Sequence, residues 1–350
     1  MKRGYLTRSL RAVRAAALIC AALAAAGCHV STTTHLPPTQ QARPALEATK
    51  AQLLARYNEQ ARSIESLNAT VDLIPTAGSA YSGVIEQYHD VHGFILAQRP
   101  AWIRMIGQAP VINKDVFDMT SDGKTFRIFI PSKNKFLVGS DTLVRPAAKP
   151  IENLRPQHVL DAIFWPEIAN AADVLIEQFD ASPNRYYVLT ALRRADAGLE
   201  ITRKIWFDRA DLSIARVQIY GPEGRLDSDI AYSEWAVPDT APGAATSSAT
   251  PAAAQASSAG ASAAAALLFP HDIRLNRPQE DYQLEIRITK LALNAAIPAE
   301  RFQLAQPPGT DLVNVDEETP AQPAADKPKA QPENQPAAQP GPQAQPRSEQ

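Results

Sequence analysis

Between Ala45 and Leu67 the apolar positions are Leu46, Leu53, Leu54, Tyr57, Ala61, Ile64 and Leu67, and Lys50, Arg56, Glu59 and Arg62 occupy the opposite face. This three-to-four-residue spacing predicts an amphipathic helix of about 22 residues, roughly 33 Å long. From there the period changes to two. Alternation predicts strands at 68–74, 81–88, 91–98, 101–107, 115–121, 124–130 and 134–139, punctuated by turn residues such as Asp122-Gly123 and Lys133-Asn134. A helical stretch follows at 156–165, closed by Pro166, with a further turn at 167–172. Strands resume at 173–179, 184–193, 198–207, 213–220, 225–235, 270–276 and 281–291. One long helix, a long antiparallel meander and a mid-chain helix imply an α+β fold. Its sheet is open and strongly curved, an incomplete barrel closed on one side by the helices. Two helices cover a concave face of that length only partly, which leaves room for a cavity.

Composition divides the chain further. Residues 238–265 are almost wholly Ala, Ser, Thr, Pro and Gly, and 316–350 are mostly Pro, Gln, Ala and Glu with almost nothing apolar larger than Ala. Such segments bury too little apolar surface to offset chain entropy, so both are expected to be disordered, although Ala263–Ala266 could add a short helical stub. The folded part is then 45–315 with an internal insertion, roughly 240 residues in one domain. Charge is nearly balanced, 35 basic against 37 acidic residues, with no basic stripe of the kind nucleic acid requires.

The N-terminus carries Lys2, Arg3, Arg8, Arg11 and Arg14, then an apolar run from Ala15 to Ala26 ending in Gly27-Cys28. That run has the length of a signal-peptide core and falls short of the roughly 20 apolar residues a bilayer span needs. Leu23-Ala24-Ala25-Ala26-Gly27-Cys28 resembles the lipobox of bacterial lipoproteins, in which the cysteine thiol receives diacylglycerol. The sequence departs from that pattern at Ala25, where leucine is usual; the other reading is an ordinary secretory signal with an incidental cysteine. Under the lipobox reading residues 1–27 are removed and Cys28 anchors the chain to a membrane, each buried CH₂ contributing about 0.8 kcal/mol. Residues 28–44, polar and proline-containing, form the tether. Cys20 lies within the discarded run, so the mature chain keeps one cysteine and no internal disulfide. His29 stands where an inner-membrane retention Asp would be, which by that analogy addresses the protein to the outer membrane, facing the periplasm.

Within the body, 96–131 reads LAQRPAWIRMIGQAPVINKDVFDMTSDGKTFRIFIP. Arg99-Pro100 at a strand end, an x-Pro loop, Ser121-Asp122-Gly123-Lys124-Thr125 and a strand ending in Pro131 follow in order. Near the end come Leu293-Asn294, Ile297-Pro298, Phe302 and Pro307-Pro308-Gly309. Together these resemble the LolA and LolB proteins, carrier and receptor of the Lol lipoprotein-sorting pathway, over nearly the whole body. The resemblance implies an open barrel whose apolar cavity takes up acyl chains of lipoproteins, without covalent chemistry or cofactor. It implies as partners acylated lipoproteins or related lipids, the membrane, and another Lol-type carrier. Cys28 matches the receptor type, whereas Arg99-Pro100 and the Asp-Gly-Lys turn match the carrier type.

The resemblance assigns Arg99 to a latch that hydrogen-bonds a lid; the alternative is a strand-end arginine facing water. It places Val111 and Ile112 at a loop tip that meets the membrane, the alternative being a loop folded back on the core. Alternation selects Ile103, Met105, Phe117, Met119, Phe126, Ile128, Ile205, Phe207, Val217 and Ile219 as lining residues, without separating a filled interior from an open one. A metal site at His89-Asp90-Val91-His92 is disfavoured, because residues three apart on a strand face opposite ways. Asp227 and Asp229 share a strand face and read as a solvated edge rather than a catalytic pair. GxSxG, P-loop and HExxH motifs do not occur, so the chain does not read as an enzyme. A non-catalytic envelope interaction protein on the same fold, without a working cavity, is the second reading.

Overall fold

The computed structural model describes residues 44–79, 82–110, 114–142, 150–181, 183–196, 198–239 and 267–316. The proposed signal, Cys28, the Val111-Ile112 loop tip, nearly all of the insertion and the C-terminal tail lie outside the described residues.

Helix α1 spans Lys50–Ser63 and helix α2 Pro156–Ile163. Fifteen strands are described: β1 Ser66–Ser79, β2 Val84–Gln87, β3 Val91–Gln98, β4 Trp102–Gln108, β5 Asp115–Ser121, β6 Thr125–Ile130 and β7 Lys135–Ser140, then β8 Val174–Ala181, β9 Asn184–Ala195, β10 Gly198–Asp208, β11 Ile214–Tyr220, β12 Leu226–Ala236, β13 Phe269–Arg277, β14 Tyr282–Leu293 and β15 Asp311–Asn314. They form one open sheet in the order β15-β7-β6-β5-β4-β3-β1-β14-β13-β12-β11-β10-β9-β8, with β2 paired to the outer end of β1. The fold is α+β, an incomplete barrel, as the alternation implies.

Three details differ from expectation. The first helix has 14 residues, because Leu46 and Leu67 fit its period but belong to extended backbone. The Leu46 amide is bonded to the Arg209 carbonyl and Leu67 lies in β1. Thr49 and Gln52 form a reciprocal capping box that sets the start. The sheet is mixed rather than antiparallel throughout, since β15 runs parallel to β7. Asp227 and Asp229 lie on β12, an interior strand, so the solvated-edge reading is corrected: Asp229 makes a bidentate pair with Arg216 and Asp227 pairs with Arg225 at 2.8 Å. The insertion interrupts no pairing, because Ala236 on β12 faces Phe269 on β13 directly across the sheet.

Both helices lie on one face of the sheet, and the core sits between. Leu53, Leu54, Tyr57 and Ala61 of α1 and Val159, Leu160, Ala162 and Ile163 of α2 meet inward residues from β1, β3–β5 and β9–β14. One continuous row crosses six strands by direct pairing: Leu189, Ile205, Val217, Ile230, Leu275 and Leu284. Period-two alternation aligns such a row automatically once the register is set.

Asn294 pins the point where α1 turns into β1. Its amide oxygen accepts from the Glu65 backbone at 2.8 Å, its nitrogen donates to the Ser63 carbonyl at 2.7 Å, and its own φ is +58°. Asparagine tolerates that left-handed backbone better than most residues. Asn294→Ala is expected to cost about 2 kcal/mol, the sum of lost bonds and strain, read as a lowered urea midpoint with unchanged slope.

Candidate functional site

The candidate site is the interface between the two helices and the sheet. Arg99, on the β3–β4 connection, reaches both helices at once. Its Nε donates to the Ile64 carbonyl at 2.8 Å, and its Nη2 donates to the carbonyls of Ala61 at 2.7 Å and Trp165 at 3.0 Å. Ala61 and Ile64 belong to the end of α1; Trp165 follows the end of α2. Helix C-termini present carbonyls with no intrahelical partner and the negative end of the dipole, so a guanidinium is the matching group. The guanidinium also covers the Phe164 ring at 4.9 Å. Partial burial pulls the Arg99 pKa down, yet arginine stays charged.

Of the ten proposed lining residues, Ile103, Met105, Met119, Phe126, Ile205, Phe207 and Val217 are buried, and Phe117, Ile128 and Ile219 are partly buried against the same core. Direct pairing joins Met105 to Met119 and Met119 to Ile128 on one side, and Ile205 to Val217 on the other. Phe117 packs against Gly107, where a Cβ would stand 2.3 Å from its ring, so that glycine makes room for the aromatic. Phe126 sits apart from the helix-facing cluster, beneath the Arg155 guanidinium at 4.7 Å.

Polar groups that alternation could not reveal thread the same interface. Tyr57 donates to the Pro166 carbonyl and accepts from Arg203; Trp165 donates to Tyr232, whose hydroxyl donates to the Ala162 carbonyl. Gln157 donates to Asp161 one helical turn on, and burial raises the Asp161 pKa against the pull of that bond and of Arg203 and Arg277. Gln157 Oε1 and Arg203 Nε are buried without a partner. The signal was Gln157, His158 and Asp161 in an otherwise apolar helix.

His158 packs within 2.6 Å of the Tyr282 hydroxyl. Burial, then the charges of Arg277 and Arg155, hold its pKa well below the usual 6.5. The folded protein therefore keeps it neutral where the unfolded chain binds a proton. Stability from this group is complete above pH 6.5 and is lost as pH falls below that value, at up to about 1.4 kcal/mol per pH unit. The raised carboxyls of Asp141 and Asp161 act in the opposite sense, favouring the folded state as pH falls. Comparing wild type with His158→Gln between pH 7.5 and 5.5 isolates the imidazole: the variant is expected to lose this part of the slope.

His92 is held 2.9 Å from Asp72 and His89 precedes the strand. Among the described residues no three His, Cys, Asp or Glu side chains gather as metal ligands.

No family model and no curated protein matches the chain. Solved structures do. A LolA superfamily protein of Nitrosomonas europaea is similar at 11% identity and TM-score 0.39, over 74% of this chain and 99% of its own. A DUF1329 family protein of Desulfovibrio piger is similar at 12% and 0.43, over 73% and 95%. A domain described as an outer membrane lipoprotein-sorting protein, from Vibrio parahaemolyticus, is similar at 9% and 0.38, over 73% and 97%.

Proposed function

We propose that this chain is a non-catalytic envelope lipoprotein, anchored through Cys28 to the outer membrane on its periplasmic side. Between α1, α2 and the sheet it takes up acyl chains of lipoproteins or related lipids. One observation carries the reading: a single side chain, Arg99, hydrogen-bonds the ends of both helices over the inward rows. Three bonds from one side chain form a closure that can be released as a unit. On this reading the buried rows belong to a closed state, and an acyl chain enters by displacing helix rather than by filling an open pit. Binding is then apolar burial, offset by the order imposed on the chain, so hand-over to or from another Lol-type carrier is nearly balanced. Gln157 and Arg203 stand ready for the polar end of the ligand, and the Val111-Ile112 loop for the membrane.

The test uses the mature chain with Cys28→Ser, a fluorescent apolar probe and a triacylated lipopeptide as competitor. Saturable one-to-one binding, displaced by the lipopeptide and accelerated by Arg99→Ala, is expected. A folded protein with no saturable site sinks the proposal and favours the second reading, an interaction protein whose interior is fully packed. The complete burial of Ile205, Phe207 and Val217 is the observation on that side.

A further inference from the structure

Strand β8 ends the sheet and pairs only with β9. Edge strands in water are normally blunted with charge or covered, because their free N–H and C=O groups invite association. This one carries Glu177 and Asp180 but also exposes Leu175 at 59%, Ile176 at 39% and Phe179 at 46%. Phe179 meets the Trp206 ring edge-on at 5.1 Å, and Tyr186 meets the same indole at 5.6 Å. Trp206 alternates with the buried Ile205 and Phe207, so this aromatic group stands on the face away from the helices.

The other side of β8 holds the chain's entry. Ile176, Glu177 and Gln178 share a cleft of about 350 Å³ with Glu47, Ala48, Thr49 and Lys50. The Lys50 ammonium donates to the carbonyls of Ala171 and Val174, each at 3.0 Å, and the Leu46 amide donates to the Arg209 carbonyl at 2.6 Å. Leu46 itself is 45% exposed. The described chain begins at Pro44, sixteen residues after Cys28. Even fully extended, that length reaches roughly 55 Å at most. The tether from Cys28 therefore joins the described body at this rim.

We propose that the β8 rim, presented edge-on with Leu175 and Phe179 on one face and Ile176 and Leu46 on the other, is the surface laid against the lipid leaflet in which Cys28 is anchored. The inference rests on the reading of Cys28 as lipidated. Anchoring makes the contact intramolecular, so a small apolar patch suffices where it could not recruit a free protein. Tyr and Trp favour the boundary between headgroups and acyl chains, which fits the Trp206 group. The free backbone of β8 and the carboxylates of Glu177 and Asp180 keep the contact at headgroup level, because an open sheet edge is not tolerated within hydrocarbon. The opposite edge, β15, also exposes a leucine, Leu312 at 61%, but lies at the far end of the strand order from the entry of the chain.

The experiment places nitroxide labels on the full mature lipoprotein in phosphatidylethanolamine–phosphatidylglycerol vesicles. Acylation of Cys28 leaves the introduced thiol of Leu175→Cys, Leu312→Cys or Val111→Cys as the only one. Power saturation then compares access of oxygen and of a water-soluble nickel chelate. The 175 label is expected to lose at least two-fold in nickel access relative to the 312 label, and to regain it when Phe179→Glu is added with unchanged circular dichroism. Equal access at 175 and 312, or immersion of the 111 label with 175 in water, overturns the proposal. So does spin–spin broadening between 175 labels, which assigns the edge to a second copy of the chain. The mass of the N-terminal peptide is read in parallel. Missing acyl mass overturns the anchoring itself, whereas an acylated chain with a watery 175 label overturns the docking surface alone.

Discussion

Arg99→Ala is expected to lower folding stability by about 3 kcal/mol and to raise amide exchange at the C-terminal turn of α1. Hydrogen bonds from a charged donor each contribute roughly 1.5–3 kcal/mol, and Arg99 makes three, to Ala61, Ile64 and Trp165. They share one side chain and water can reach part of the site, so the sum is discounted. Loss of the contact with the Phe164 ring adds about 0.5–1 kcal/mol. Arg99→Lys should recover less than half, because a single ammonium cannot reproduce a fork that spans two helices. The measurement is a urea titration of the three proteins, with hydrogen exchange followed at residues 61–64. A change within about 0.5 kcal/mol, as for an ordinary surface substitution, would mean that the arginine merely faces water. Because the bonds join the ends of α1 and α2 to the sheet, their loss should also speed entry of an apolar probe. That pairing of effects separates a latch from a simple stabiliser.

The strands were legible because period two survives even where both faces are covered, and every strand from β1 to β14 lies within a few residues of the alternation that predicts it. β15 was not legible. Its four residues, Asp311–Asn314, are mostly exposed and owe their strand to backbone pairing with β7, which leaves no apolar signature. The overlong first helix failed for a related reason: Leu46 and Leu67 are apolar at helical spacing, but capping at Thr49 and pairing in β1 decide the ends. At the site, the resemblance of the Arg-Pro pair distinguishes Arg99, whereas nothing in the sequence distinguishes Tyr57, Trp165, Arg203 or Tyr232 as polar links. Nothing local distinguishes a tyrosine that bonds across 109 residues, as Tyr57 does to Pro166, from one that merely fills a core. The edge position of β8 is likewise a property of strand order, which no run of residues encodes by itself.

Phe207→Ala decides what the inward rows are. The side chain is fully buried, paired across the sheet with Tyr187 and Ile214. In a filled core its truncation costs about 3–5 kcal/mol, because the transfer energy is lost and a cavity remains. That is the expected result, read as a large fall in urea midpoint. Ile219 provides the contrast. It faces inward on β11, is only partly buried, and pairs with Arg203, whose Nε has no partner. Ile219→Ala is expected to cost about 1 kcal/mol, since less apolar area leaves water-free surroundings there. Were Phe207 instead the wall of an open cavity, its truncation would forfeit less than the filled-core figure and enlarge the site. With the expected pair of values, packing is tight under the helix ends and thins toward Ile219 and Arg203. A ligand would then begin at that thin end and advance as the helices lift, so Ile219→Ala should change probe affinity more than it changes stability.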